Sequence, residues 1–183
     1  LQVVLILGKP TIDHGHKDSL ALNLLACHLG YGMSSVLFKT LREKYGLVYE
    51  VGIYHPTREN DSPFLIYAST TQEKATLTLK LIKECWEKIL LVPLTNHELK
   101  LSKNKFKGEL AHSLQSVSQK AEREACLWGM GLEENHDSLL LKRVDTITSA
   151  DVFKAAKDHL QEPSLSICGS KRIVNKLSNQ WLV

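Results

Sequence analysis

The 183-residue chain has only four cysteines, Cys27, Cys85, Cys126 and Cys168, and no two of them are close in sequence. Without a Cys-x-x-Cys pair there is no zinc ribbon and no thioredoxin-like redox motif. Three of the four lie in apolar helical or strand contexts, so small buried thiols are expected rather than disulfides. That favours a reducing compartment, and a cytoplasmic location is the expectation. No run is long and apolar enough to span a bilayer as a helix. Charge is also in short supply: the formal net charge is +3, with lysines and arginines dispersed. Such a balance gives no phosphate-tracking patch and no argument for a nucleic-acid partner. No signal peptide is visible, but the chain starts at Leu1 directly on a strand, as an excised domain does. A targeting segment upstream would not be seen.

The usual catalytic arrangements are missing as well. The eight histidines are His14, His16, His28, His55, His97, His112, His136 and His159. None opens a His-x-x-Glu-His, which would set two metal ligands and a general base on one helix face. The reverse order fails too, because His97-Glu98 meets Leu101 where a second ligand is needed. His14-Gly15-His16, flanked by Asp13 and Asp18, has metal-ligand chemistry in a loop, and we read it as a solvated loop. Ser34 and Ser35 have no neighbouring base and are read as helix caps. Gly30-Tyr31-Gly32 lacks the further glycines and the lysine of a phosphate loop. Trp86, Trp128 and Trp181 are read as core or docking aromatics, and Lys100, Lys103, Lys105 and Lys107 as a solvated helix face.

What is present describes a soluble globular domain. The hydrophobic fraction is 43% and the charged fraction 23%, ordinary values for one domain of this length. Gln2–Leu7 is an aliphatic run expected as a buried strand. Asp18 or Ser19 is placed to cap a helix running through Leu20, Leu24 and Cys27 to Gly30. Leu47, Tyr49, Val51 and Ile53 alternate as a strand does, and Phe64–Ser69 is its hairpin partner across a polar turn. Thr70 or Thr71 is expected to open a long helix, with Ala75, Leu79, Ile82, Trp86 and Ile89 as its apolar stripe and Pro93 as its end. Thr95 with Glu98, and Thr148 with Asp151, have capping-box spacing. A helix from roughly Ser116 to Met130 is expected to carry Ala121, Ala125 and Trp128 and to stop in Gly129-Met130-Gly131. Leu165–Cys168 is the last strand, followed by a terminal helix or extension anchored by Trp181. Hairpin strands with helices collected elsewhere imply an α+β fold, an antiparallel four-stranded sheet with helices packed on one face. No linker or repeat divides residues 1–183, so a single domain is expected.

One stretch stands out, Gly30 to Val51. It opens on glycines and serines, continues as an amphipathic helix with Leu37, Phe38, Leu41 and Tyr45 on one arc, and stops at Gly46. Arg42 lies one turn before that stop, and Tyr49 lies just inside the next strand. The chain reverses between them, so a guanidinium and a phenol can reach one small volume. Two convergent donors suit a peptide carbonyl or the oxyanion formed when it is attacked. The residues alone also allow a plainer reading, with Arg42 in a surface ion pair with Glu43 or Glu50 and Tyr49 packed in the sheet.

This stretch resembles the signature of the second, non-zinc domain of the insulinase/pitrilysin metallopeptidases, a family that includes the mitochondrial processing peptidases. A glycine-rich turn, Met-Ser-Ser, a helix ending Leu-Arg-Glu-Lys-x-Gly-Leu and a Tyr-containing strand follow in the family's order. The similarity extends over most of the chain. It implies that Arg42 and Tyr49 hold the substrate carbonyl opposite a zinc ion, and that Gly30, Gly32 and Ser34 are turn contacts. Tyr31 departs from a common glycine and Val36 from a common arginine. The resemblance further implies that zinc and its His-x-x-Glu-His belong to a homologous domain or subunit, with an extended peptide as substrate. This domain itself would then hold no metal and be inactive alone. A scaffold subunit of the same fold, like the core proteins of respiratory complexes, and a homodimer are the other arrangements.

Overall fold

The computed structural model describes residues 2–133 and 135–181. Four strands, β1 (Gln2–Pro10), β2 (Val48–Tyr54), β3 (Pro63–Thr71) and β4 (Ser164–Cys168), form one antiparallel sheet in the order β2-β3-β1-β4. β1 therefore sits inside the sheet, paired with β3 from Gln2↔Thr71 to Pro10↔Pro63 and with β4 from Val4↔Cys168 to Gly8↔Ser164. Its alternation sends Val3, Leu5 and Leu7 to the fully buried face, while Val4 and Ile6 are half-buried on the other. Successive side chains of a strand point to opposite faces, so one face of this sheet carries the core.

The helices are α1 (Ser19–Gly30), a π-helix (Phe38–Lys44), α2 (Ala75–Leu91), α3 (Asn96–His112), α4 (Val117–Gly129), α5 (His136–Thr146), α6 (Ser149–His159) and α7 (Lys171–Trp181). α1 is apolar around most of its circumference, and Leu20, Leu22, Leu24, Leu25 and Leu29 are all buried. A helix of that kind has to be enclosed; α1 lies against α3, α6 and β2. The α2 stripe of Ala75, Leu79, Ile82, Trp86 and Ile89 is buried as its spacing predicts. The Trp86 indole N–H donates to the Leu160 carbonyl at 3.1 Å, which ties α2 to the end of α6. Both expected capping boxes form, Thr95 with Glu98 and Thr148 with Asp151, and Ser116 with Gln119 makes a third.

Several expectations are corrected. Thr70 and Thr71 end β3 rather than start α2, because Thr70 is fully buried and its hydroxyl donates to the carbonyl of Leu47, just before β2. Asp18 holds the N-cap position of α1 without making a capping bond. α5 was not foreseen. Trp128 is 74% exposed, which removes the core reading of it, and Leu127 is the buried residue of α4. Cys27 and Cys85 are buried, but Cys126 and Cys168 are exposed. Burial pushes the Cys27 thiol up to about 12 and the Cys85 thiol up to about 11, which keeps both neutral and unreactive near pH 7.

Candidate functional site

The stretch from Gly30 to Val51 folds into a corner between helix and edge strand. Gly30 ends α1 where a Cβ would lie 2.6 Å from the backbone nitrogen of Ile53, so only glycine lets helix and strand approach this closely. The next helix is wound as a π-helix from Phe38 to Lys44 instead of the expected α-helix. Wider winding changes which residues share a face. Leu37 and Leu41 are fully buried, Phe38 is half-buried, and Tyr45 is 45% exposed, so Tyr45 leaves the predicted arc. Gly46 stops the helix as predicted, at φ +57°. Its N–H donates to the Arg42 carbonyl at 3.2 Å and the Leu47 N–H to the Leu41 carbonyl at 2.8 Å. Nested bonds of this kind satisfy carbonyls that the helix end leaves free.

Two side chains pin the corner from outside. Lys74 Nζ donates to the Gly46 carbonyl at 2.7 Å and Thr70 Oγ1 to the Leu47 carbonyl at 2.6 Å. Leu47 and Val48 are buried just beyond. Tyr49 then falls in a break of the ladder: Val48 pairs with Thr70 and Glu50 with Ser69, so Tyr49 is the extra residue of a bulge. A bulge bends an edge strand and re-aims a side chain. Tyr49 is 68% exposed. Arg42 is exposed too, with its guanidinium carbon 5.2 Å from the centre of the Phe38 ring. Among the described residues no hydrogen bond or ion pair engages the Arg42 guanidinium or the Tyr49 hydroxyl, so neither Glu43 nor Glu50 takes the arginine. Neither residue lines the 410 Å³ or the 510 Å³ cavity of the chain; the pair stands on open surface. Gly32 and Ser34 are exposed as well. Ser35 is buried with its hydroxyl unpartnered among the described residues, so it does not act as the cap expected of it.

The 410 Å³ cavity lies elsewhere, between the loop before α1, the start of the β2–β3 connection and helices α3, α4 and α5. His14, His16, His55 and His136 reach it from three separate parts of the chain. Burial holds the His55 and His136 imidazoles below their usual range. Arg123, also on the cavity wall, makes two bonds to the Asp137 carboxylate, at 2.6 and 2.9 Å. At the edge of this region His16, Asp18 and His159 meet. His159 follows His16 by more than a hundred residues, and the linear sequence offered no signal that would join them.

Residues 2–106 match the family model described as the peptidase M16 inactive domain. A protein of Streptomyces coelicolor named as an uncharacterized zinc protease is 30% identical over 92% of this chain, which spans 37% of that relative's length. Among solved structures, a peptidase M16 inactive domain from Pseudomonas fluorescens is 26% identical over 91% of the chain, with a TM-score of 0.79 and 40% of its own length covered. A crystallised inactive peptidase domain of a candidate zinc protease from Bordetella parapertussis shares the fold at 17% identity, with a TM-score of 0.73. There the match covers 92% of this chain and 93% of that one. The corner and the sheet thus sit in a recognised α+β peptidase half. The chain belongs to the peptidase M16 inactive-domain family, and it spans about a third of the length of the curated relatives it matches.

Proposed function

We propose that this domain grips the substrate for a zinc metallopeptidase whose His-x-x-Glu-His lies in another domain or subunit. The observation that carries the reading is the pinned corner, which exposes Arg42 at the end of the π-helix and Tyr49 on the bulged edge strand, neither donor engaged by a partner among the described residues. An extended peptide adds along the β2 edge, since an unpaired edge offers its backbone groups to another strand. Arg42 and Tyr49 then donate to the scissile carbonyl, and their bonds strengthen as negative charge develops on its oxygen. Gly32 and Ser34 meet the peptide at the turn, and Gly30 lets the corner close. Zinc bound in the other half would supply the activated water, and this chain's part is to hold and orient the peptide.

The test is made in the complete enzyme. Arg42→Ala and Tyr49→Phe are expected to lower turnover while leaving the fold intact. A loss of less than a few-fold for both would assign the domain to a catalytically inert scaffold or interaction subunit. The isolated 183-residue chain is expected to cleave no peptide, with or without added zinc, and cleavage by it would overturn the reading outright.

A further inference from the structure

The His16, Asp18 and His159 side chains meet where the loop before α1 passes the C-terminal end of α6. His159 Nε2 donates to Asp18 Oδ2 at 3.0 Å, and that oxygen lies 3.8 Å from His16 Nδ1. The two imidazoles stand edge to face with centres 5.2 Å apart. One donor atom from each of the three residues lies within 4.8 Å of the other two. Asp18 occupies the N-cap of α1, where an aspartate ordinarily binds the free N–H groups of the first turn. Its side chain makes no such bond, and its carboxylate is turned to the histidines instead. The Asp18 and His159 side chains are only 19% and 18% exposed, unlike those of a solvated loop, and His16 is 35% exposed. His159 closes α6, where the helix's partial negative charge favours a cation.

We propose that His16, Asp18 and His159 form a divalent-metal site, with zinc as the ion their chemistry fits. It is separate from the catalytic zinc ascribed to another domain, and it fastens α6 to the loop before α1. Two imidazoles and one carboxylate are a borderline donor set suited to zinc, whereas calcium and magnesium need a shell of oxygens. Bonds of about 2.0–2.2 Å put the ligand atoms of a tetrahedron roughly 3.3 Å apart. Asp18 Oδ2 and His159 Nε2 are already near that spacing, with the Nε2 proton passing to Nδ1 or to water as the ion binds, and His16 Nδ1, 3.8 Å from Asp18 Oδ2, closes in by about half an ångström. His16 Nδ1 accepts the Asp18 backbone N–H at 3.1 Å, and the ion takes over that lone pair. The fourth position is left to water, because His16 also stands on the wall of the 410 Å³ cavity.

The site is tested by titrating the chelator-treated 183-residue chain with Zn²⁺ alone and then with Co²⁺. One zinc per chain is expected, with a Co²⁺ spectrum lacking the charge-transfer band of a cysteine ligand. Saturating zinc should raise the melting temperature by about 5 °C or more. Asp18→Asn and His159→Gln should each weaken zinc at least about tenfold and abolish the thermal shift, the usual cost of losing a ligand or its partner. Both variants should melt close to the parent chain without metal, which separates loss of the ion from loss of the fold. His112→Gln, at the exposed end of α3, should change neither reading. No zinc uptake, or uptake and thermal shift unchanged in both variants, would overturn the proposal and leave a hydrogen-bonded triad.

Discussion

The Arg42/Tyr49 corner and the His16/Asp18/His159 cluster are assembled in opposite ways. Arg42 and Tyr49 are seven residues apart, exposed, and joined to no partner among the described residues. What is rigid at the corner is the backbone beneath them, held by Leu41, Gly46, Lys74 and Thr70. In the cluster the side chains hold one another, and the bond from His159 to Asp18 spans 141 residues. A site that must meet a substrate keeps its donors uncommitted. A site that fastens two elements commits them. Substitutions at the corner should therefore move rate and spare stability, and substitutions in the cluster should spare rate and remove the stabilisation that bound zinc supplies.

The largest effect expected is at the corner. Arg42→Ala in the complete enzyme should lower turnover by about a hundredfold or more, as removal of one oxyanion donor does. Its melting temperature should hardly move, because among the described residues the exposed guanidinium is engaged by the Phe38 ring alone, worth about 0.5–1 kcal/mol. Kinetics read beside thermal melts would break the comparison if Arg42→Ala lost stability and rate in proportion. Next in size is Gly30→Ala, which attacks the scaffold and not the donors. The added methyl would lie 2.5 Å from Ile53 Cγ1 and 2.6 Å from the Ile53 nitrogen. Backbone cannot yield as a side chain tip does, so a loss of about 1–3 kcal/mol in a denaturant titration is expected. An unchanged midpoint would mean that α1 and β2 are not held as closely as the corner requires.

The same contrast explains what could be read from the sequence. The corner is a local object: a helix stop, an alternating strand and two donors at fixed spacing all lie within a short window. The four strands, the α2 stripe and both expected capping boxes were legible for the same reason. The π-winding was not, because Leu37 and Leu41 fit an α-helical arc equally well. Only the exposure of Tyr45 betrays the wider turn. Thr70 is ambiguous in the sequence because a threonine can start a helix or end a strand, and its bond to the Leu47 carbonyl decides the matter. The cluster was only half visible. His14-Gly15-His16 and Asp18 show as donor types in a loop, but His159 enters through the packing of α6, on which local periodicity is silent.

The smallest effect is read in pH, and it bears on the cavity beside the cluster. His55 is 7% exposed, its Nδ1–H donates to the Pro63 carbonyl at 3.0 Å, and its ring lies 5.0 Å from that of Phe64. Burial holds it below its usual value of 6.5, against a smaller opposing effect of the Pro63 bond, and burial lowers His28 too. Below pH 6.5, then, the unfolded chain takes up protons that the folded chain still refuses. Stability is fully present above that pH and falls as acid carries the solution down through the depressed values. His55→Gln can keep a donor for Pro63 but cannot be charged, so its melting temperature should fall less steeply between pH 7 and 5 than that of the parent chain. Asp151 and Glu98 are held low by their capping bonds, so their loss belongs to more acid conditions and does not blur the window. An equal slope in the two proteins would mean that His55 is reached by water through the cavity, and that its neighbours are more open than their burial indicates.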